Sequence, residues 1–361
     1  MPIAYCLITQ ERFLTAMYLI AVFAMVCAVA VVLLVMPKFL PFLKKLKFGQ
    51  TIYDLGPQAH LAKQGTPNMG GIVTALSTVA VTLVFSVILS VKNGWGLGLN
   101  NALWPLLFIT VGCMALFGFP DDYIKDVKKD HEGLKPKQKL IGQMVIGLAF
   151  SAFCYQKLGS GVIIPFTNLT WDLGIFYIPI MTVLVMFITN SANLQDGVDG
   201  LLSSVTVVGM AAFGLIVLFM TQKTLDAAWG VPIVLLCFAL AGASIGFLRY
   251  NRHPAKIFMG DTGSMFIGGA MVGVAMLTRT QFLLILISFT CIMSSLSVML
   301  QRGYFKYTRK KYGEGRRIFK MSPLHHHFEL CGMKENQIVL MYAAGTLVLS
   351  ALAVVSMTHF Y

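Results

Sequence analysis

Ten apolar stretches of bilayer length follow one another along this chain, at residues 13–36, 70–91, 101–118, 138–156, 175–189, 200–221, 230–248, 262–278, 281–301 and 337–359. A hydrocarbon core of about 30 Å is crossed by about 20 helical residues. Inside lipid each backbone amide must find its partner within the segment or in a closed barrel, which makes apolar runs of this length helices. The expected fold is therefore an all-α polytopic membrane protein with ten transmembrane helices, forming one domain over residues 1–361. Composition agrees: 57% of the 361 residues are apolar and 12% are charged, where soluble domains carry roughly 25% charged residues. The first run is too long for a cleavable signal and is followed by basic residues without a small-residue cleavage site. Five of the seven cysteines lie within the runs and none forms a C-x-x-C pair, so they read as small apolar side chains.

Basic residues orient the bundle. Alternate loops at 37–69, 119–137, 249–261 and 302–336, with Lys139 just inside the fourth run, hold 23 of the 28 Lys and Arg. Such loops face the cytoplasm by the positive-inside rule, which places both termini outside. Twelve of the 15 acids fall on the same side. On the opposite face, residues 159–174 alternate apolar and β-branched side chains around Pro165 and Asn168, the pattern of a small exterior hairpin.

Several cytoplasmic elements combine groups suited to anions and metal. Asn190–Leu201 reads NSANLQDGVDGL, with Asn190, Asn193, Asp196 and Asp199 placed between two apolar runs. Acids at membrane depth are costly unless they face a partner, a cavity or water. Gly197 and Gly200 let a ligand approach the backbone. Lys63–Gly71 (KQGTPNMGG) opens the second span with a tight turn, and free amides at a helix start suit an anion. Phe119–Lys125 (FPDDYIK) carries adjacent acids that diverge on a helix, one free for metal or nucleophile and the other paired with Lys125 at i+3. In Asn251–Ser264 (NRHPAKIFMGDTGS), Asp261 sits among small residues at a helix start. Pro323–Glu329 (PLHHHFE) brings three consecutive histidines, whose spacing is unlike that of zinc ligands. Oxygen donors, glycine-lined backbone and many cations together point to Mg²⁺ holding a diphosphate in a cytoplasmic cleft. A transporter would instead line a path with its acids and pair broken helices between two halves.

With FPDDYIK, NLQDGVDGL, FMGDTGS and PLHHHFE in this order, the chain resembles the polyprenyl-phosphate N-acetylhexosamine-1-phosphate transferases over essentially its whole length. KQGTPNMGG and the histidine run are similar to their phospho-N-acetylmuramoyl-pentapeptide branch rather than to the sister enzymes that use UDP-GlcNAc. Asn68 stands where that branch usually has Thr, and Gln195 where Thr is commoner. The resemblance implies transfer from UDP-N-acetylmuramoyl-pentapeptide to undecaprenyl phosphate, with Mg²⁺, at the bacterial cytoplasmic membrane. It implies a homodimer within the lipid bilayer and no nucleic-acid partner. Carried over residue by residue, Asp261 becomes the metal ligand, and Asp121 and Asp122 the catalytic pair, with His326 beside them. Asn193, Asp196 and Asp199 would bind the donor, with Phe258 stacked on the uracil. Lys63, Lys125, Lys137, His325, His326 and His327 would engage phosphates or sugar. Asn68, Gly197 and Asn251 complete the implied substrate-binding set.

Overall fold

The structure, a computed structural model, describes residues 2–45, 65–96, 98, 101–126, 128, 133–167 and 169–360. It is a bundle of helices: α1 (Pro2–Lys45), α2 (Gly71–Asn93), α3 (Leu103–Cys113), α4 (Phe119–Asp126), α5 (Pro136–Leu158), α6 (Tyr177–Gln195), α7 (Leu201–Lys223), α8 (Ala227–Asn251), α9 (Gly260–Leu277), α10 (Gln281–Ile287), α11 (Phe289–Tyr312), α12 (Leu324–Leu330) and α13 (Glu335–Phe360). Strands β1 (Gly161–Ile163) and β2 (Thr170–Asp172) form the expected hairpin, antiparallel with Val162 opposite Trp171. Arg279 fastens it to the bundle, donating from Nε to the Gly161 carbonyl at 2.8 Å.

Eight helices among the described residues are long and apolar enough to cross a membrane, or nine with α10 and α11 counted as one broken span. The expected fourth span is present as α5 but is not among them. Lys137, Gln138, Lys139, Gln143, Gln156 and Lys157 dilute its apolar residues. The helix that fills this place is thus long enough but more polar than its neighbours. Helices α8 and α9 bury 89% of their most apolar windows while α1 and α13 bury 28%, so the first pair is central and the second peripheral. Helix α8 packs on α7, α1 and α2, and α9 packs on α6 and α3.

Two local features aim side chains at one end of this core. A π-helical turn at Met114–Gly118 joins α3 to α4, a device that shifts the helical face by part of a turn. Gly118 then meets the first turn of α9 so closely that a Cβ would lie 2.6 Å from the Asp261 carbonyl oxygen. Likewise Gly71 abuts Gly263, where a Cβ would lie 2.2 Å from the glycine Cα. Small residues permit this approach of α2 to α9.

Candidate active site

The site is framed by backbone. The segment before α2 pairs with the segment before α9: Phe258 N–H donates to the Pro67 carbonyl, Gly70 N–H to the Phe258 carbonyl and Gly71 N–H to the Met259 carbonyl, each at 2.8 Å. Gly260 follows with φ +78°, a conformation that favours glycine. It turns the chain into α9, with Asp261 in the first turn.

Asp122 holds that first turn in place. Its Oδ1 accepts from the Asp261 N–H at 3.0 Å, and its Oδ2 accepts from the Thr262 N–H at 2.8 Å and the Thr262 hydroxyl at 2.6 Å. Side chains normally cap a helix N-terminus from its own chain segment; here the cap comes from α4. Asn68 completes the clasp, donating through Nδ2 to Asp122 Oδ1 at 3.2 Å and to Asp126 Oδ2 at 3.0 Å. Asp122 is thereby fully engaged in structure.

Asp121 instead joins the ionic cluster. It is fully buried, accepts from the Leu134 N–H at 2.8 Å, and faces two ammonium groups that it shares with Asp261. Lys125 Nζ lies 2.5 Å from Asp121 Oδ2 and 3.3 Å from Asp261 Oδ2. Lys139 Nζ lies 2.9 and 2.8 Å from the same two oxygens. Lys125 therefore pairs with Asp121 at i+4 rather than with Asp122 at i+3, because Asp122 is turned to α9. Asn193 donates to the other Asp261 oxygen at 2.7 Å and to the Ser264 hydroxyl at 3.0 Å.

Asp196 ends α6 beside this cluster and accepts from the Gly260 N–H. Burial pushes its carboxyl up to about 8, and the negative charges of Asp261, Asp122 and Asp199 push the same way. Asp196 therefore keeps its proton at neutral pH; with Asp121, Asp122 and Asp261 ionised against Lys125 and Lys139 the cluster is short of one positive charge, and of two once Asp196 ionises. Gly197 comes next, and a Cβ there would lie 2.4 Å from His325 Nε2 and 3.2 Å from His326 Nε2. The histidine turn thus closes on NLQDGVDGL through a glycine. His325 is fully buried, and His326 Nδ1 lies 2.6 Å from Glu329 Oε2.

Other expected site residues bond to the frame. Asn251 accepts from the Gly200 N–H at 3.1 Å and the Ser203 hydroxyl at 3.3 Å, and donates to the Ile257 carbonyl at 3.0 Å. Asp199 accepts from the Ala255 N–H at 3.0 Å and meets His253 Nδ1 at 3.1 Å, tying two turns together. His327 accepts from the Lys320 N–H at 3.1 Å and packs on Phe319, so it organises its own loop. Phe258 is half-buried with its backbone in the frame. Lys63 lies outside the described residues. Lys137 is exposed in the first turn of α5, while Lys139 reaches the cluster in its stead. The signal for Lys139 was Gln143, one turn on and polar amid apolar residues. Gln143 accepts from Asn190 Nδ2 at 2.8 Å, which turns this face of α5 toward α6.

Sequence comparisons identify relatives of the chain. The model of a family described as glycosyl transferase family 4 matches residues 104–279, the stretch from α3 to the end of α9. The chain is 42% identical over 336 residues to the phospho-N-acetylmuramoyl-pentapeptide-transferase of Bacillus licheniformis, covering 93% of this chain and 97% of that protein. It is 40% identical to the protein of the same description from Bacillus subtilis, with the same shares covered. A Thermoanaerobacter relative so described is 42% identical over 322 residues, 89% of this chain and 94% of its own.

Proposed function

The chain belongs to the phospho-N-acetylmuramoyl-pentapeptide transferases, and from that premise we infer the reaction its site performs. It is a multi-pass membrane transferase that moves phospho-N-acetylmuramoyl-pentapeptide from the UDP-linked donor to undecaprenyl phosphate, releasing UMP and forming lipid I for peptidoglycan. The observation that carries this reading is the half-buried Asp121–Lys125–Lys139–Asp261 cluster flanked by Asn193 and Asp196. A sister enzyme using UDP-GlcNAc is disfavoured by the three relatives named above, each described by the muramoyl-pentapeptide reaction.

The all-oxygen donor set and its excess of negative charge suit a hard divalent cation, whose arrival would release the proton on Asp196. Asp261, with Asp196 and Asn193 beside it, would hold Mg²⁺, which compensates diphosphate charge when bound. Lys125 and Lys139, now on Asp121 and Asp261, are placed to screen the repulsion between donor and acceptor phosphates. A phosphate monoester has its second pKa near about 6, so the lipid phosphate is largely dianionic at neutral pH. Its oxygen attacks the donor's β-phosphorus directly; that P–O bond forms as the bond to UMP breaks, and UMP leaves with the bridging oxygen. Positioning and charge compensation supply the acceleration. Asp121 orients the acceptor and takes any residual proton, while Asp122 keeps Asp261 aimed. His325 and His326 border the donor, with Phe258 against its uracil and Lys63 and Lys137 toward its phosphates. The excess of basic residues in alternate loops supports a cytoplasmic site and outside termini, in a reading that keeps ten spans and a homodimer.

Isotope exchange tests the route. Enzyme stripped of polyprenyl phosphate and incubated with donor and labelled UMP should leave the donor unlabelled. Label entering the donor at a rate comparable to turnover would require a covalent aspartyl intermediate. Turnover of purified protein with UDP-GlcNAc but not with the muramoyl donor would overturn the assignment itself.

A further inference from the structure

Helix α11 and the loop after it carry a second assembly of charges, apart from Asp121 and Asp261. Between residues 302 and 320 there are eight Lys and Arg and one acid, Glu314. On a helical period, Arg302, Lys306 and Arg309 form one stripe of α11. Beside it runs another, made of Leu296, Met299, Leu300, Tyr304 and Tyr307, all exposed. Helix α11 is turned by 80° from α10, so it cannot share that helix's direction through the bilayer. Exposed apolar residues giving way to tyrosines next to a line of cations are the pattern of a helix at the lipid–water boundary.

The following loop folds back to make a cavity on the cationic stripe. Gln301 is buried; its Oε1 accepts from the N–H groups of Ile318 and Phe319, both at 3.0 Å, and its Nε2 donates to the Phe319 carbonyl at 3.0 Å. Thr308 Oγ1 accepts from the Arg316 N–H at 2.8 Å. These bonds bring Arg317 opposite the helix. The cavity, open on one side, measures about 510 Å³, with Arg302, Lys306, Arg309 and Arg317 around it and Phe305 and Met321 in its wall. None of the four cations pairs with a carboxylate among the described residues, and Arg317 reaches only the Lys320 carbonyl, at 3.5 Å. Four cations at one place, with no acid to balance them, call for an anion from elsewhere.

We propose that this cavity binds the phosphodiester headgroup of an anionic bilayer phospholipid, whose acyl chains lie along Leu296, Met299 and Leu300. The adjoining stripe decides the occupant: a free phosphate or an acidic peptide would fill the cavity and leave that apolar surface bare. A lipid satisfies both parts at once. Occupancy bears on the histidine turn, because Lys320, beside the cavity's wall, donates its N–H to His327. The proposal stands whatever reaction the cluster of Asp121 and Asp261 performs.

The test uses full-length protein in uncharged detergent, titrated with phosphatidylglycerol or with phosphatidylcholine of the same chains, and read by native mass spectrometry. The wild type should retain phosphatidylglycerol preferentially. A basic residue near an anionic surface is worth about fivefold in binding. The triple variant Arg302→Gln, Lys306→Gln, Arg309→Gln should therefore weaken retention at least about tenfold. Lys310→Gln with Lys311→Gln, which removes charge outside the cavity lining, should change it less than about threefold. Lipid-free thermal melts of each variant report folding, and Lys306→Gln alone replaces the triple variant should that one melt early. Unchanged retention by the cavity variant overturns the proposal. Displacement of the lipid by inorganic phosphate at equal concentration would make this a soluble-anion site. Preferential displacement by undecaprenyl phosphate would make it part of the acceptor path, and either result likewise refutes it.

Discussion

Two adjacent aspartates, alike in sequence, have opposite surroundings. Asp122 meets the amides and hydroxyl that begin α9, whereas Asp121 meets two lysines and the carboxylate of Asp261. Asp261→Asn should leave the fold intact, since Asp122 still caps its backbone, yet lower kcat at least about a hundredfold through lost metal charge compensation. Steady-state turnover at saturating Mg²⁺ measures this, and near-normal kcat would refute the role. Asp196 gives a pH dependence whose sign follows from its raised carboxyl. In excess chelator the native state keeps a proton that the unfolded chain releases above about pH 4. Stability should then fall as pH rises from about 4 to 8 and level off beyond. Asp196→Asn should flatten that slope in thermal melts; a slope unchanged by the substitution would assign it to another group. Asn68 shows what a single residue type conceals. Its amide serves both Asp122 and Asp126, a double donation that the Thr usual in this family could not make from one hydroxyl.

At the scale of elements, the distances that matter are between backbones. Helices α2 and α9 touch at Gly71 and Gly263, with no room for a methyl group on either. Gly71→Ala must push the helices apart at the point where Gly70 and Gly71 bond to the strand-like segment before α9. Overpacking of this kind typically costs about 1–3 kcal/mol. The variant should melt several degrees lower and lose activity together with stability, as read by paired melts and turnover; a variant matching wild type in both would show that the two helices can slide. Eight spanning helices were legible as apolar runs, and the short hairpin as alternation around Pro165. The π-helical turn at Met114–Gly118 was not, because no residue type demands it; it follows from fitting Gly118 beneath Asp261.

For the whole molecule, orientation is the outstanding physical prediction, and a native thiol can report it. Cys331 is exposed in the turn before α13, four residues beyond His327. In Cys6→Ser protein in intact cells it should resist a membrane-impermeant maleimide, and should react once the cells are opened. Labelling in intact cells would place the histidine turn, and the site with it, outside.

Length, apolar runs and the bias of basic loops determined from sequence alone that this is a helical membrane protein, because the bilayer accepts so few backbone arrangements. The motifs likewise named Asp121, Asp122, Asn193, Asp196 and Asp261 as one site. Only the tertiary structure decided what each touches. It separated Asp121 from Asp122, put Lys139 where Lys137 was expected, and gave Asn251 and His327 to the frame. Those outcomes depend on which helix stands opposite, within about 3 Å, and a hydrogen bond across 139 or 140 residues of chain leaves no local trace in sequence.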